Sequence, residues 1–322
     1  IPGMAPALEA ELTVGMNAVE ELLHSHIRGK YPLVEEASRH LVAAGGKRLR
    51  PLLTLIAAQY GDKNRRGIIE SAAVCELTHV ATLYHDDVMD EATIRRGTES
   101  ANSRWGNTVA ILSGDFLFAR SSKLLADLGP EAVRVQAQTF ERLVIGQLRE
   151  SVGPQGNEDP IVHHLEVLAD KTGSLIAAAG RYGAMMSGVS AELTDRIADF
   201  GESIGIAFQL SDDLLDIESE VSGKTPGTDL REGVPTLVTL NLLKSTRPED
   251  KKLQKLVGAP IKDEAVVASV LKELRTHPAL EESKAQLQQV ARDARAALGP
   301  LPVNDVTGAL FSLCDAIVDR SA

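Results

Sequence analysis

Two clusters of one pattern, Asp86-Asp87-Val88-Met89-Asp90 and Asp212-Asp213-Leu214-Leu215-Asp216, interrupt stretches that otherwise read as apolar helices. On an α-helix the first and fifth residues of such a D-D-x-x-D lie one turn apart on one face, so each cluster directs at least two carboxylates the same way. Like charges at that spacing destabilise a helix by about a few tenths of a kcal/mol when exposed and by more when desolvated; a bound cation is the simplest compensation. An all-oxygen donor set points to a hard divalent ion, Mg²⁺ before Zn²⁺. The first cluster also closes a helix, where the macrodipole is negative and carboxylates most need a counter-ion.

Cations gather around that first cluster. Gly45-Gly46-Lys47-Arg48-Leu49-Arg50-Pro51 lies upstream and Arg95-Arg96-Gly97 shortly downstream. Guanidinium and ammonium groups beside a Mg²⁺-type face suit a polyphosphate, whose oxygens accept bidentate Arg bonds while bridging metal ions. Gly45 and Gly46 allow close backbone approach to an anion. Salt-bridging to the aspartates would account for one arginine of the pair but hardly for all five cations. The second cluster follows Gln209 and precedes a polar segment, Gly223 to Gly233, that could close as a lid. Lys171-Thr172-Gly173 interrupts another apolar helix; alone, Lys171 reads as a surface lysine lying along an apolar face, and pointing inward it would be a phosphate ligand.

The elements that must position these groups are helices. Apolar residues recur at three and four, and alternating β-branched runs bounded by turns are absent. The expected helices are about 6–28, 32–44, 49–60, 66–90, 102–127, 130–151, 160–187, 191–220, 235–246, 262–275, 279–298 and 303–319, with ends uncertain by ~2–4 residues. Loops fall at Ser151 to Pro160 and Ser219 to Pro235. Helical periodicity resumes on both sides of each, so residues 4–322 read as one domain. Ile1-Pro2-Gly3 reads as a cloning remnant ahead of Met4. Helices of this length facing one another build central sites in bundles.

With 322 residues and 43% hydrophobic content the chain can bury a sizeable core. A formal net charge of -11 argues against a nucleic-acid partner and makes a local basic cluster more telling. Cys75 and Cys314 make no metal or redox spacing and read as buried thiols in a reducing compartment. No apolar run reaches the ~20 residues of a membrane span, and no secretory signal precedes the first helix, so a cytoplasmic location is expected.

GGKRLRP at 45–51, ELTHVATLYHDDVMDEATIRRG at 76–97, GDFLFA at 114–119, KTG at 171–173, and FQLSDDLLD with GKTPGTDLREGVPTL at 208–237 together resemble the trans-isoprenyl (polyprenyl) diphosphate synthases. The resemblance spans nearly the whole chain in the family's order. It implies an all-α fold around a central cavity, usually homodimeric, that condenses an allylic diphosphate with isopentenyl diphosphate. It further implies that Asp86, Asp90 and Asp212 are Mg²⁺ ligands, with Asp87, Asp213 and Asp216 in or next to the coordination sphere and three ions per site. Lys47, Arg50, His79 and Arg96 resemble the isopentenyl diphosphate site; Arg95, Lys171, Thr172, Gln209 and Lys224 resemble the allylic diphosphate site. Asp86, Asp90, Asp212, Lys171 and Arg95 would carry the catalysis. Val238 stands where many relatives carry Pro, a departure expected to alter a loop-to-helix junction and not chemistry.

Ionising an allylic diphosphate needs charge stabilisation on the leaving group and no nucleophile. The released diphosphate is an acceptor for the departing proton; His79 is an alternative, and His85 either another or a hydrogen-bonded partner of a ligating carboxylate. The product would grow along the face carrying Thr82, Ala81 and Thr78, all small. Each helical turn rises ~5.4 Å, close to one isoprene unit, so a long product of roughly the C35 to C50 class is expected. A geranylgeranyl product is the alternative, with Phe116 or Phe118 as a deeper floor, and long products imply transient membrane contact on release. A terpene cyclase is the rival enzyme, disfavoured by 3% aromatic content where carbocations need aromatic faces. A helical regulatory subunit is the non-catalytic rival, disfavoured by two intact acidic clusters.

Overall fold

The computed structural model describes residues 1–219 and 225–320. Among them sixteen α-helices follow in order: α1 (Pro6–Ile27), α2 (Pro32–Ala43), α3 (Leu49–Ala58), α4 (Ile68–Met89), α5 (Ala101–Trp105), α6 (Asn107–Ala126), α7 (Pro130–Val152), α8 (Pro160–Leu168), α9 (Ser174–Ser187), α10 (Ala191–Glu218), α11 (Thr228–Glu232), α12 (Leu237–Lys244), α13 (Lys251–Leu256), α14 (Glu264–Leu274), α15 (Pro278–Ala297) and α16 (Asp305–Asp319). Starts are set locally. Proline occupies the first turn of α1, α2, α7, α8 and α15, where its missing N–H costs nothing. Side chains of Asp159, Ser190, Asp263 and Asn304 accept the first free amides of α8, α10, α14 and α16.

Helix α4 is the axis of the molecule. From Ser71 to Thr78 every residue is buried, so α4 is enclosed on all sides by α1, α3, α6 and α9. Small residues let its neighbours close in: a Cβ on Gly183 of α9 would sit 2.0 Å from the Thr54 carbonyl of α3, and the Thr54 hydroxyl donates to the Ala179 carbonyl at 2.9 Å. Tyrosines tie the layers. The Tyr84 hydroxyl of α4 donates to the Ala37 carbonyl of α2, and the Tyr182 hydroxyl of α9 donates to Ala132 of α7 at 2.8 Å. Helix α10 lies on α9, and α12, α14, α15 and α16 cover its other side. Cys75 and Cys314 are buried free thiols, both pushed up to about 12 mainly by burial.

Four departures from the expected elements have local causes. The segment 102–127 is two helices broken at Gly106, whose φ of 88° leaves the helical region. The segment 160–187 carries a π turn, Ala169–Gly173, between α8 and α9. The 219–235 stretch contains α11, and a 3₁₀ turn (Pro248–Asp250) with α13 fills a stretch expected to be loop; helices of five or six residues are too short for periodicity to reveal. Finally, β1 (Ile94–Arg95) and β2 (Thr98–Glu99) form a small antiparallel hairpin. Val238 lies fully buried in the first turn of α12, at the expected junction.

Candidate active site

The basic cluster is organised by a carboxylate. Glu76 of α4, 1% exposed, receives the Arg48 guanidinium at 2.8 Å and lies 3.5 Å from that of Arg96. Arg48 also binds Glu20 and the Val42 and Gly45 carbonyls, which fixes the Gly45–Arg48 loop. Arg96 and Gly97 are the two loop residues of the β1–β2 hairpin, with φ of 54° and 74°; positive φ at both is what a two-residue type I′ connection requires. That turn aims Arg96 back at the Leu41 carbonyl, 2.7 Å away. Gly46 makes room, since a Cβ there would stand 2.8 Å from the Arg96 guanidinium. Arg50 completes the cluster with a buried Nε that has no hydrogen-bond partner. Burial, followed by the charges of Arg50 and Arg96, pushes the His79 imidazole well below its ordinary pKa, so it is neutral beside these arginines. Lys47 is exposed and places its ammonium 4.5 Å from the Phe208 ring of α10.

In the first acidic cluster the three aspartates differ. Asp87 is 1% exposed; its Oδ1 accepts two bonds from Arg95, at 2.9 and 2.5 Å, and its Oδ2 is buried without a partner. Arg95 is therefore the arginine that salt-bridges an aspartate. Asp86 and Asp90 lie one turn apart on the accessible side. Burial, partly offset by Lys171, and the charge of Asp90 raise Asp86 to about 6; burial likewise raises Asp90. Lys171 comes from the π turn and is bound at 2.5 Å to Glu150 of α7, so the fold brings α4, α7 and the α8–α9 junction to one charged locus. Thr172 sits beside it in the same turn.

The second cluster is partnered from elsewhere. Asp212 is paired with Arg320, whose guanidinium also lies 4.8 Å from the Phe208 ring. Asp213 is buried and raised mainly by that burial; Gln209 donates to it at 3.2 Å and His164 of α8 stands 3.9 Å away. Asp216 accepts the Thr228 and Asp229 amides, both at 3.1 Å, and so anchors α11. Lys224 lies outside the described residues.

Among the described residues no three of His, Cys, Asp or Glu converge closely enough to hold an ion unaided. The donors nonetheless fit Mg²⁺, which is held by one or two carboxylates with phosphate oxygens and water completing its octahedron: each face offers carboxylate oxygens one turn apart, Asp87 Oδ2 is buried without a hydrogen-bond partner, and Asp86 is raised by burial and by the charge of Asp90.

Below Asp86, Thr82 is half-buried, whereas Ala81 and Thr78 are fully buried. Thr78 Oγ1 accepts from Gln136 Nε2 at 2.8 Å and lies 3.2 Å from Ser121 Oγ. His85 is turned to α6, its Nε2 2.9 Å from the Ile111 carbonyl and 3.3 Å from Asp115, a carboxylate outside both acidic clusters. Gly114 of GDFLFA accommodates that ring, as a Cβ there would approach it to 2.5 Å. Phe118 packs on His85 and Phe140; Phe116 lies beneath Arg120. Reading by motif missed Glu76, Glu150, His164 and Arg320, single polar residues whose only signal is complementarity to residues distant in sequence.

A family model described as polyprenyl synthetase matches residues 31–274. A nonaprenyl diphosphate synthase of Mycobacterium tuberculosis is 47% identical over 97% of this chain and 94% of its own length. An octaprenyl diphosphate synthase of Escherichia coli is 31% identical over 97% of both. Among solved structures, a geranylgeranyl pyrophosphate synthase from Corynebacterium glutamicum complexed with calcium and isoprenyl diphosphate matches with a TM-score of 0.91 at 42% identity, covering 99% of this chain and 98% of that one. A decaprenyl diphosphate synthase from Rhodobacter capsulatus matches with a TM-score of 0.90 at 31% identity, covering 98% and 99%.

Proposed function

Because the chain belongs to the polyprenyl synthetase family and is a prenyltransferase, we propose that it extends an allylic diphosphate by repeated condensation with isopentenyl diphosphate to a long all-trans product of roughly the C35 to C50 class. The observation that supports this reading is that the charged residues fall into two separate groups, one able to take a diphosphate through bound cations and one basic. One joins Asp86 and Asp90 to Lys171; the other joins Arg50, Arg96 and neutral His79. Two diphosphates need two such sites, whereas a cyclase needs one.

Asp86, Asp90 and Asp212, with Asp87, Asp213 and Asp216 beside them, would hold Mg²⁺, proposed at three ions. The bound ions supply charge stabilisation to the departing diphosphate. Lys171 and Thr172 hold the same leaving group, with Gln209 at the second face and Arg95 steadying Asp87; Lys224, outside the described residues, is assigned to this group by the family resemblance alone. Arg50, Arg96, Lys47 and His79 fix the isopentenyl diphosphate so that its double bond meets the allylic carbon as that diphosphate leaves. No side chain stands out as base, and the departing proton goes to the released diphosphate. The small residues Thr82, Ala81 and Thr78 allow a long tail, in keeping with the nonaprenyl and octaprenyl relatives. The Corynebacterium match makes a geranylgeranyl product the alternative. Ile111 and Leu112 of α6 with Val133, Phe140, Val144 and Leu148 of α7 expose one apolar face; a second copy of the chain would cover it. No helix of the described residues is long and apolar enough to cross a membrane; a cytoplasmic enzyme touching membranes only to release product accords with that.

Mass spectrometry after reaction with labelled isopentenyl diphosphate, Mg²⁺ and an allylic primer tests the reading. Chains of seven to ten isoprene units are expected (about C35–C50), with turnover nearly abolished by Asp86→Ala and by Asp212→Ala while circular dichroism is retained. A product ending at four units would transfer the enzyme to the alternative, and substantial activity in either variant would overturn the metal assignment.

A further inference from the structure

The π turn that presents Lys171 and Thr172 is held by groups outside the motifs. Its defining bond runs from the Ser174 amide to the Ala169 carbonyl, five residues back, and the Ser174 hydroxyl takes up the Asp170 carbonyl. A residue in excess of an α-helix shifts the phase by about 100°, so relaxation to α geometry would swing Lys171 around the axis relative to one flanking helix. Neither flank is free to rotate. His163 of α8 contacts Glu158 at 3.1 Å and the Arg149 carbonyl at 3.2 Å, while Tyr182 of α9 is bonded to Ala132.

One stripe of α7 grips the turn at i, i+4 and i+8. Arg142 Nε donates to Asp170 Oδ1 at 2.8 Å, and its other nitrogen is paired with Glu202 of α10. Gly146 lies against the turn's backbone, where a Cβ would meet Asp170 Cβ and the Lys171 amide nitrogen at 2.9 Å. Glu150 takes the Lys171 ammonium. From the other side, a Cβ on Gly205 would stand 2.9 Å from Gly173 Cα. The turn is thus clasped between α7 and α10, and Arg142 is the buckle that spans both.

We propose that Arg142 is a positioning residue for the allylic diphosphate: by bridging Asp170 and Glu202 it locks the π turn in the phase that sets the Lys171 ammonium against Glu150 of α7. The inference rests on the proposed role of Lys171. Steady-state KM values for the allylic diphosphate and for isopentenyl diphosphate should be measured in parent, Arg142→Gln, Lys171→Ala and the double variant. Arg142→Gln should raise the allylic KM about tenfold, as loss of a supporting partner commonly does, with the isopentenyl diphosphate KM unchanged and Arg142→Lys restoring part of the loss. In the double variant the allylic KM should equal that of Lys171→Ala alone, because Arg142 acts through Lys171. Additive losses, an equal rise in both KM values, or an unchanged allylic KM in Arg142→Gln would overturn the buckle. An unchanged allylic KM in Lys171→Ala would instead overturn the role of Lys171. Should Arg142→Gln fail to fold, Glu202→Gln opens the same bridge from the other end and is read in the same way.

Discussion

His79 illustrates how a side chain acquires its state from its neighbours. A free histidine titrates near 6.5, but burial and four arginines hold this ring neutral well below that. The sign follows from proton counts: below about pH 6.5 the unfolded chain takes up a proton that the folded chain refuses, so this residue's contribution to stability is lost as pH falls through that window, by at most ~1.4 kcal/mol per pH unit. Asp86, raised to about 6, works in the opposite sense, so the informative quantity is a difference between variants. The melting temperature of His79→Gln should decline less than that of the parent between pH 7.5 and about 5.5. Parallel declines would show that His79 is not held neutral. The sequence displayed His79 and all six aspartates, but not that Asp87 would be sunk against Arg95 while Asp86 remained accessible; that division depends on the hairpin that carries Arg95.

At the scale of elements, α4 combines two tasks, with a site at its C-terminal end and buried packing below. Thr78 lies eight residues before Asp86, about 12 Å down the axis. If the product tail runs beside this face, Ala81→Phe should shorten the product distribution by one or more isoprene units, read by mass spectrometry. An unchanged distribution would move the floor elsewhere, with the Thr78, Ser121 and Gln136 cluster the nearest candidate. The long helices were legible because their apolar period persists for many turns. The π turn was not, since Lys171-Thr172-Gly173 leaves the pattern on both sides intact and only the phase between them changes. The hairpin at 94–99 was also missed: two residues per strand give no alternation, and the Arg-Gly pair at its turn was read for charge alone.

Among the described residues one cluster of buried apolar side chains runs from Leu8 to Ile317, and we propose that the chain is a single domain. Calorimetry is expected to record one cooperative transition, and two separable transitions would argue for two units. The exposed face of α6 and α7 makes a second whole-molecule claim. Val144→Glu, placed at its middle, should convert a dimer to a monomer in light scattering at micromolar concentration, and an unaltered mass would show that copies associate through another surface or not at all. Little of this was legible in the sequence, because a helix face that packs on a neighbouring helix and one that packs on a second copy share one apolar pattern.

The left-handed turn at Arg96-Gly97 sets stability and turnover against each other. A non-glycine residue at positive φ costs about 1–2 kcal/mol, and glycine at position 96 would relieve it. Libraries of this enzyme selected for thermal endurance alone should therefore drift toward glycine there, discarding the guanidinium, whereas libraries selected for product would keep arginine. Position 96 is where the two selections would part, and a thermostabilised catalyst would have to gain its stability elsewhere.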